Sequence, residues 1–190
     1  MDDTSRSLLE RVRDSADAAS WRRLVDLYTP WLHGWLRRCH VPTADSDDFV
    51  QEVLVVVANE VRQFQPNERP GGFRNWLRTI LFNRLRNYWR QQQTRPLIGS
   101  ADVLTLLEDP NSDFDRAWDR EHDEYVTKRL LEQIEPEFMA TTWQAFRRQV
   151  VDESPAATVA TELGMTANAA LIAKSRVLRR LREEARGLTD

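Results

Sequence analysis

The sequence predicts an all-α protein of two helical domains joined by a linker. Apolar residues recur at helical spacing along most of the 190 residues. Alternating, strand-like runs are hard to find. The 6 glycines and 8 prolines are few and fall between periodic segments.

The first helix starts at a capping Asp17 and carries Trp21, Leu24, Leu27 and Tyr28 on one face. Pro30 is expected at a joint, after which Trp31, Leu32, Trp35 and Leu36 continue the face to about Cys39. His40-Val41-Pro42-Thr43 ends it. Asp45 or Ser46 caps the next helix, with acids in the first turn, where the helix dipole favours them. Phe49, Val50, Val53, Leu54, Val57 and Val61 keep helical spacing, and Phe64-Gln65-Pro66 closes the element. Asn67–Gly72 is a loop of turn formers. A third helix runs from about Phe73 to Gln93, with Trp76, Leu77, Ile80, Leu81 and Leu85 in its stripe. Residues 94–112, with Pro96, Gly99 and Pro110, form the linker. Four more helices are expected at about 113–134, 137–149, 155–163 and 166–186, with Pro136 and Pro155 near helix starts. The domains are thus 1–93 and 113–190.

Composition narrows the class. Hydrophobic residues make up 41% and charged residues 30%, a globular balance. No apolar run approaches the ~20 residues of a membrane span, and the first residues lack a signal-peptide apolar core. Neither membrane insertion nor export by that route is expected. The single cysteine excludes an internal disulfide and a cysteine-cluster zinc site, and a reducing cytoplasm is the simplest compartment. The net charge of −3 hides a segregation. Residues 71–95 hold six arginines and no acid, whereas 102–124 hold nine acids against two arginines. Local fields, not the sum, decide whether nucleic acid binds. Only Lys128 and Lys174 of the 27 basic residues are lysines. Arginine forks suit phosphates and base edges, and a GC-rich genome gives the same bias.

Three stretches carry functional signals. Pro155–Thr166 reads as a short helix, a turn at Gly164 and a cap opening a longer helix. That longer helix presents Asn168, Lys174, Ser175, Arg176, Arg179 and Arg180 away from a core of Ala160, Leu163, Met165, Ala170, Val177 and Leu181. In helix-turn-helix folds the second helix enters the major groove and flanking arginines meet phosphates. The alternative is an ordinary helical hairpin with a solvated basic face. Next, the loop at Asn67–Gly72 precedes a helix mixing Trp76, Phe82, Tyr88 and Trp89 with arginines, a combination suited to unstacked bases. Asn83 can donate and accept hydrogen bonds to an extruded base. Finally, Asp48, Gln51, Glu52 and Val55 share one helix side and form an acidic face for a basic partner.

These segments together resemble a known family. Asp45-Ser-Asp-Asp-Phe-Val-Gln-Glu-Val-Leu54 is similar to the sigma-factor pattern DxxDLVQEVF. Phe73–Arg90 resembles the F-R-x-W-L-x-x-I-x-x-N stretch of sigma region 2, and Val159–Met165 with Ser175–Leu181 resembles region 4. The chain is thereby identified as similar to bacterial extracytoplasmic-function (ECF) sigma factors of the sigma-70 family.

The resemblance implies a promoter-specificity subunit with no catalysis and no cofactor. Asp48, Gln51, Glu52 and Val55 would bind the β′ clamp helices of core RNA polymerase, with the β flap as a further contact. Asn67, Arg69, Arg74, Asn83, Arg84, Arg86 and Arg90 would hold the −10 element of promoter DNA. Thr166, Asn168, Leu171, Lys174, Ser175, Arg176 and Arg179 would read the −35 element. Many such proteins are held by an anti-sigma factor, a partner to which no residue here is assigned. Asn87 stands where the family often has Asp, and Leu171 and Ala173 where many members have polar base readers. The acids of 102–124 are expected to screen basic DNA-binding surfaces in the free protein.

Two other classes compete. A stand-alone helix-turn-helix regulator would bind duplex DNA without polymerase, and would leave the aromatic-basic third helix without a purpose. A metal-dependent hydrolase would need Asp45, Asp47, Asp48 and Glu52 to converge. Capping and dipole effects already explain those acids, and His33, His40 and His122 form no HExxH-type set.

Overall fold

The computed structural model describes residues 6–14, 17–65, 71–92 and 113–189, without the side chains of residues 92 and 113–115. The described residues form α-helices and one 3₁₀ turn, with no strand among them. The order is α1 (Leu8–Val12), α2 (Ala18–Arg38), α3 (Thr43–Glu60), α4 (Gly72–Gln92), α5 (Asp113–Ile134), the 3₁₀ turn Glu135–Glu137, α6 (Ala140–Val150), α7 (Ala156–Leu163) and α8 (Ala167–Ala185).

Helix α1 was not expected. A capping box makes it: the Ser7 Oγ accepts the Glu10 N–H at 3.2 Å, and the Glu10 carboxylate accepts the Ser7 N–H at 2.7 Å. Asp17 caps α2 as expected, accepting the Ser20 N–H at 2.8 Å and its hydroxyl at 2.7 Å. Those bonds hold the Asp17 carboxyl below its ordinary range. Pro30 marks no joint, because α2 runs through it unbroken. The helix closes at Cys39, and His40 takes a left-handed turn at φ 58°. Cys39 is fully buried, and that burial pushes its thiol up to about 12. Helix α3 starts two residues before the expected cap; Pro42 precedes it, and no side chain caps it. Pro136 falls in the 3₁₀ turn and not at the start of α6.

Helices α2, α3 and α4 converge on Leu27, Leu36, Val53, Val57, Leu81 and Leu85. Helix α5, expected to open the second domain, lays its first half on this same core. Trp118 is fully buried there, with its ring centroid 5.3 Å from Trp31 and 5.0 Å from Trp35. Leu130, within the expected second domain, belongs to the first core, as do Ala185 and Leu188. Trp76, expected as core, is only partly buried and stacks on Phe64 at 4.7 Å. A second cluster joins Ile134, Trp143, Phe146 and Val177, and a third joins Ala145, Val159, Ala170 and Ala173.

A carboxylate fastens the two halves together. Glu184 of α8 is fully buried and meets Arg11 of α1 at 2.8 Å, Arg23 of α2 at 3.1 Å and Arg180 at 2.5 Å. A buried acid is tolerable only when paired in this way.

Candidate nucleic-acid interface

Helix α3 turns Phe49, Val53 and Val57 inward, so the helical repeat turns Asp48, Gln51, Glu52 and Val55 outward together. All four are exposed, Val55 by 57%, unusual for a valine with no described neighbour covering it. Between α3 and α4 lies a groove of about 700 Å³, whose walls include Glu52, Trp76, Asn83, Asn87 and Tyr88. Arg84 crosses it to pair with Glu52, and the Tyr88 hydroxyl donates to Asp45 at 2.6 Å. Asp47 lies 3.4 Å from His33. The acids offered to a metal in the hydrolase reading therefore spread over separate partners.

Among the expected −10 residues, the structure groups Asn83, Arg86 and Arg90. They lie three to four residues apart on one side of α4, and Arg86 Nη1 donates to the side-chain Oδ1 of Asn83 at 2.8 Å. Asn83 and Arg90 are exposed. Asn67 and Arg69 lie outside the described residues. Arg74 is set apart. At about 100° per residue it shares the side of Leu77, Leu81 and Leu85, facing α5. Its Nη1 lies 2.6 Å from Asp123 and its Nε 3.1 Å from Asp119. Arg78 is 3.8 Å from Asp119. Acids of the 102–124 run thus do meet arginines of α4, but on the side away from Asn83 and Arg90.

His122, beside Asp123 on α5, packs against Tyr28 and Trp31 of α2 and is fully buried. Its Nδ1 is 3.0 Å from Asp123 and its Nε2 is 3.1 Å from the Tyr28 hydroxyl. A neutral ring satisfies both groups: Nδ1–H donates to the carboxylate, and Nε2 accepts the Tyr28 O–H. Burial depresses the imidazole below its ordinary value and raises Tyr28 well above its own. Burial alone would raise Asp123; hydrogen bonds from His122 and Arg74 outweigh it and leave the carboxyl lowered.

Helices α6, α7 and α8 follow in the second half, and α7 and α8 are joined by a short turn. Gly164 makes the turn at φ 63°, a left-handed backbone that glycine adopts without strain. The Thr166 hydroxyl caps α8 by accepting the Ala169 N–H at 3.1 Å. Gln149 of α6 is buried, and its amide donates to the carbonyls of Ala145 and Ala170, each at 2.8 Å. That bond pins the start of α8 to α6. With Ala170, Ala173 and Val177 inward, Thr166, Asn168, Leu171, Ser175, Arg176 and Arg179 are exposed and Lys174 is half-buried at the edge. Two further residues of α8 bear on what this face offers. Ala173 is core, 6% exposed, and faces no base. Ile172, which the sequence reading passed over, is 42% exposed beside Leu171 at 51%. The signal that finds it is its four-residue step from Asn168 and three-residue step to Ser175.

No described helix is long and apolar enough to cross a membrane. Residues 24–95, which span most of α2 and all of α3 and α4, match the family model described as Sigma-70 region 2. No curated protein gives a significant match to the chain. The region 2 match supports the role of an RNA polymerase sigma factor of the sigma-70 family, and that family implies binding to core polymerase and promoter DNA.

Proposed function

We propose that this chain is an ECF-type sigma factor that directs core RNA polymerase to promoters and aids their opening in the cytoplasm. What supports the reading is a region 2 match over α2–α4 followed, in the same chain, by α7 and α8, two helices joined by the Gly164 turn, the second of them basic. The α3 face of Asp48, Gln51, Glu52 and Val55 docks on the β′ clamp helices. Val55 supplies the desolvated centre of that contact and the acids its rim. The Asn83–Arg86–Arg90 ridge follows the separated −10 strand, with arginines on phosphates and Asn83 on an extruded base. Holding a base outside the stack offsets the few kcal/mol of unstacking and favours the melted state. Helix α8 enters the −35 major groove, and the α6–α8 unit meets the β flap.

Run-off transcription with bacterial core polymerase, this chain and a promoter library tests the reading. Protein-dependent starts that share a two-part upstream element are the expected result. Duplex binding without polymerase, and no such starts, would mean a stand-alone regulator. Val55→Arg, which leaves the core of α3 untouched, should weaken co-purification with polymerase at least tenfold.

A further inference from the structure

The face of α8 turned away from its core carries an unusual pair. Leu171 and Ile172 are adjacent, aliphatic and 51% and 42% exposed. They sit among Asn168, Ser175, Arg176 and Arg179, all exposed. Residues 167–182 contain no acid. At about 100° per residue, Asn168, Ile172, Ser175 and Arg179 form the line opposite Ala170 and Val177, with Leu171 on one flank and Arg176 on the other. An apolar pair ringed by cations does not suit a purely aliphatic partner, which would strand the arginines. It suits an anionic surface with apolar points on its floor. The major groove of duplex DNA has that character. Phosphates line its walls, and the C5-methyl of thymine is the apolar group on its floor.

We infer that Leu171 and Ile172 read thymine methyl groups in the upstream promoter element, making them specificity-determining residues of α8. The inference rests on the sigma-factor reading above and names what that helix recognises. The polar readers on the face suit purines, Asn168 adenine and Arg176 and Arg179 guanine, and apart from the short Ser175 none of them reads a thymine methyl. Discrimination at thymine therefore falls to the apolar pair. The rigid seat of α8 supports this, because Gln149 and the Thr166 cap fix its first turns where the pair stands.

The test uses the holoenzyme, reconstituted from core polymerase and the full chain. Promoters are first selected from a library randomised in the upstream element. Each thymine of the winning element is then replaced by deoxyuridine, which removes one methyl and leaves every hydrogen bond in place. One or two of these replacements should lower occupancy about fourfold each, the worth of one methyl group withdrawn from water. With Leu171→Ala and Ile172→Ala holoenzymes, thymine and uracil should bind alike at those positions. An enriched element without thymine, or one insensitive to uracil throughout, overturns the inference and leaves the sigma-factor reading intact. No enrichment of any upstream element overturns both. Because the probing change is in the DNA, a variant that fails to fold cannot obscure the result.

Discussion

The Nη2 of Arg11 lies 3.0 and 2.8 Å from the two carboxylate oxygens of Glu184, joining residues 173 positions apart in the chain. Ser20 completes the site by accepting from Arg11 Nε at 2.9 Å. With Arg23 and Arg180 also on Glu184, removing this carboxylate leaves three guanidinium groups crowded in a buried site. Glu184→Ala should cost about 3–5 kcal/mol. Urea denaturation followed by circular dichroism measures it, and a loss under about 1 kcal/mol would show that the network is easily dispensed with.

Acid should loosen the packing of α5 on α2 through His122, which meets Tyr28 and Trp31 there. Its folded value is depressed below 6.5, so the unfolded chain binds the extra proton first as pH falls. Stability is fully present above pH 6.5 and falls as pH drops through the folded value. Asp17 and Asp123, also depressed, add losses only below about their unfolded value of 3.8. His122→Gln should flatten the upper window of a plot of denaturation midpoint against pH and leave the lower window in place. An unchanged slope below pH 6.5 would assign the acid sensitivity elsewhere.

The two sides of α4 separate by salt dependence. Arg90→Ala should weaken holoenzyme binding to promoter and reduce the slope of log affinity against log salt by roughly 0.7, the value for one single-strand phosphate contact. Arg74→Ala should leave that slope unchanged. It should lower stability by about 1 kcal/mol, because Asp119 and Asp123, both partly exposed, each lose one partner and keep Arg78 and His122. A slope change from Arg74→Ala matching that of Arg90→Ala would return Arg74 to the strand-binding set.

Gly164 isolates a backbone cost. Nothing lies within 4 Å of where its Cβ would stand, so only the φ of 63° opposes a side chain. Gly164→Ala should cost about 1 kcal/mol, and Gly164→Asn less, because asparagine tolerates the left-handed region better. Thermal melts of the two variants should rank in that order.

Local signals were the readable part of the sequence. Asp17, Gly164 and Thr166 announce their turns and caps through chemistry confined to a few residues, and the stripe of α4 lies in its spacing. The longer-range arrangements were not readable. Nothing local says that Trp118 and Leu130 join the first core, since any apolar helix face fits many partners. Arg74 looked like its neighbours by charge; only the position of α5 turns it inward. Ala173 is core and Ile172 exposed, a distinction that small and large aliphatic residues leave ambiguous until the neighbours of the helix are placed. Asp45 and Ser46 looked like caps for α3, but the backbone after Pro42 starts the helix without one.

The lone thiol of Cys39, hidden and held neutral at the end of α2, makes the native chain nearly inert to alkylating reagents near neutral pH. Its modification therefore serves as a clock for openings that bare the first core, since only molecules that have breathed there react. It also spares the usual cysteine-free background. A reporter cysteine placed at the exposed Asp152, away from the residues assigned to DNA, can be coupled to a fluorophore while Cys39 stays unlabelled, and polymerase and promoter engagement can be followed on the otherwise unaltered chain.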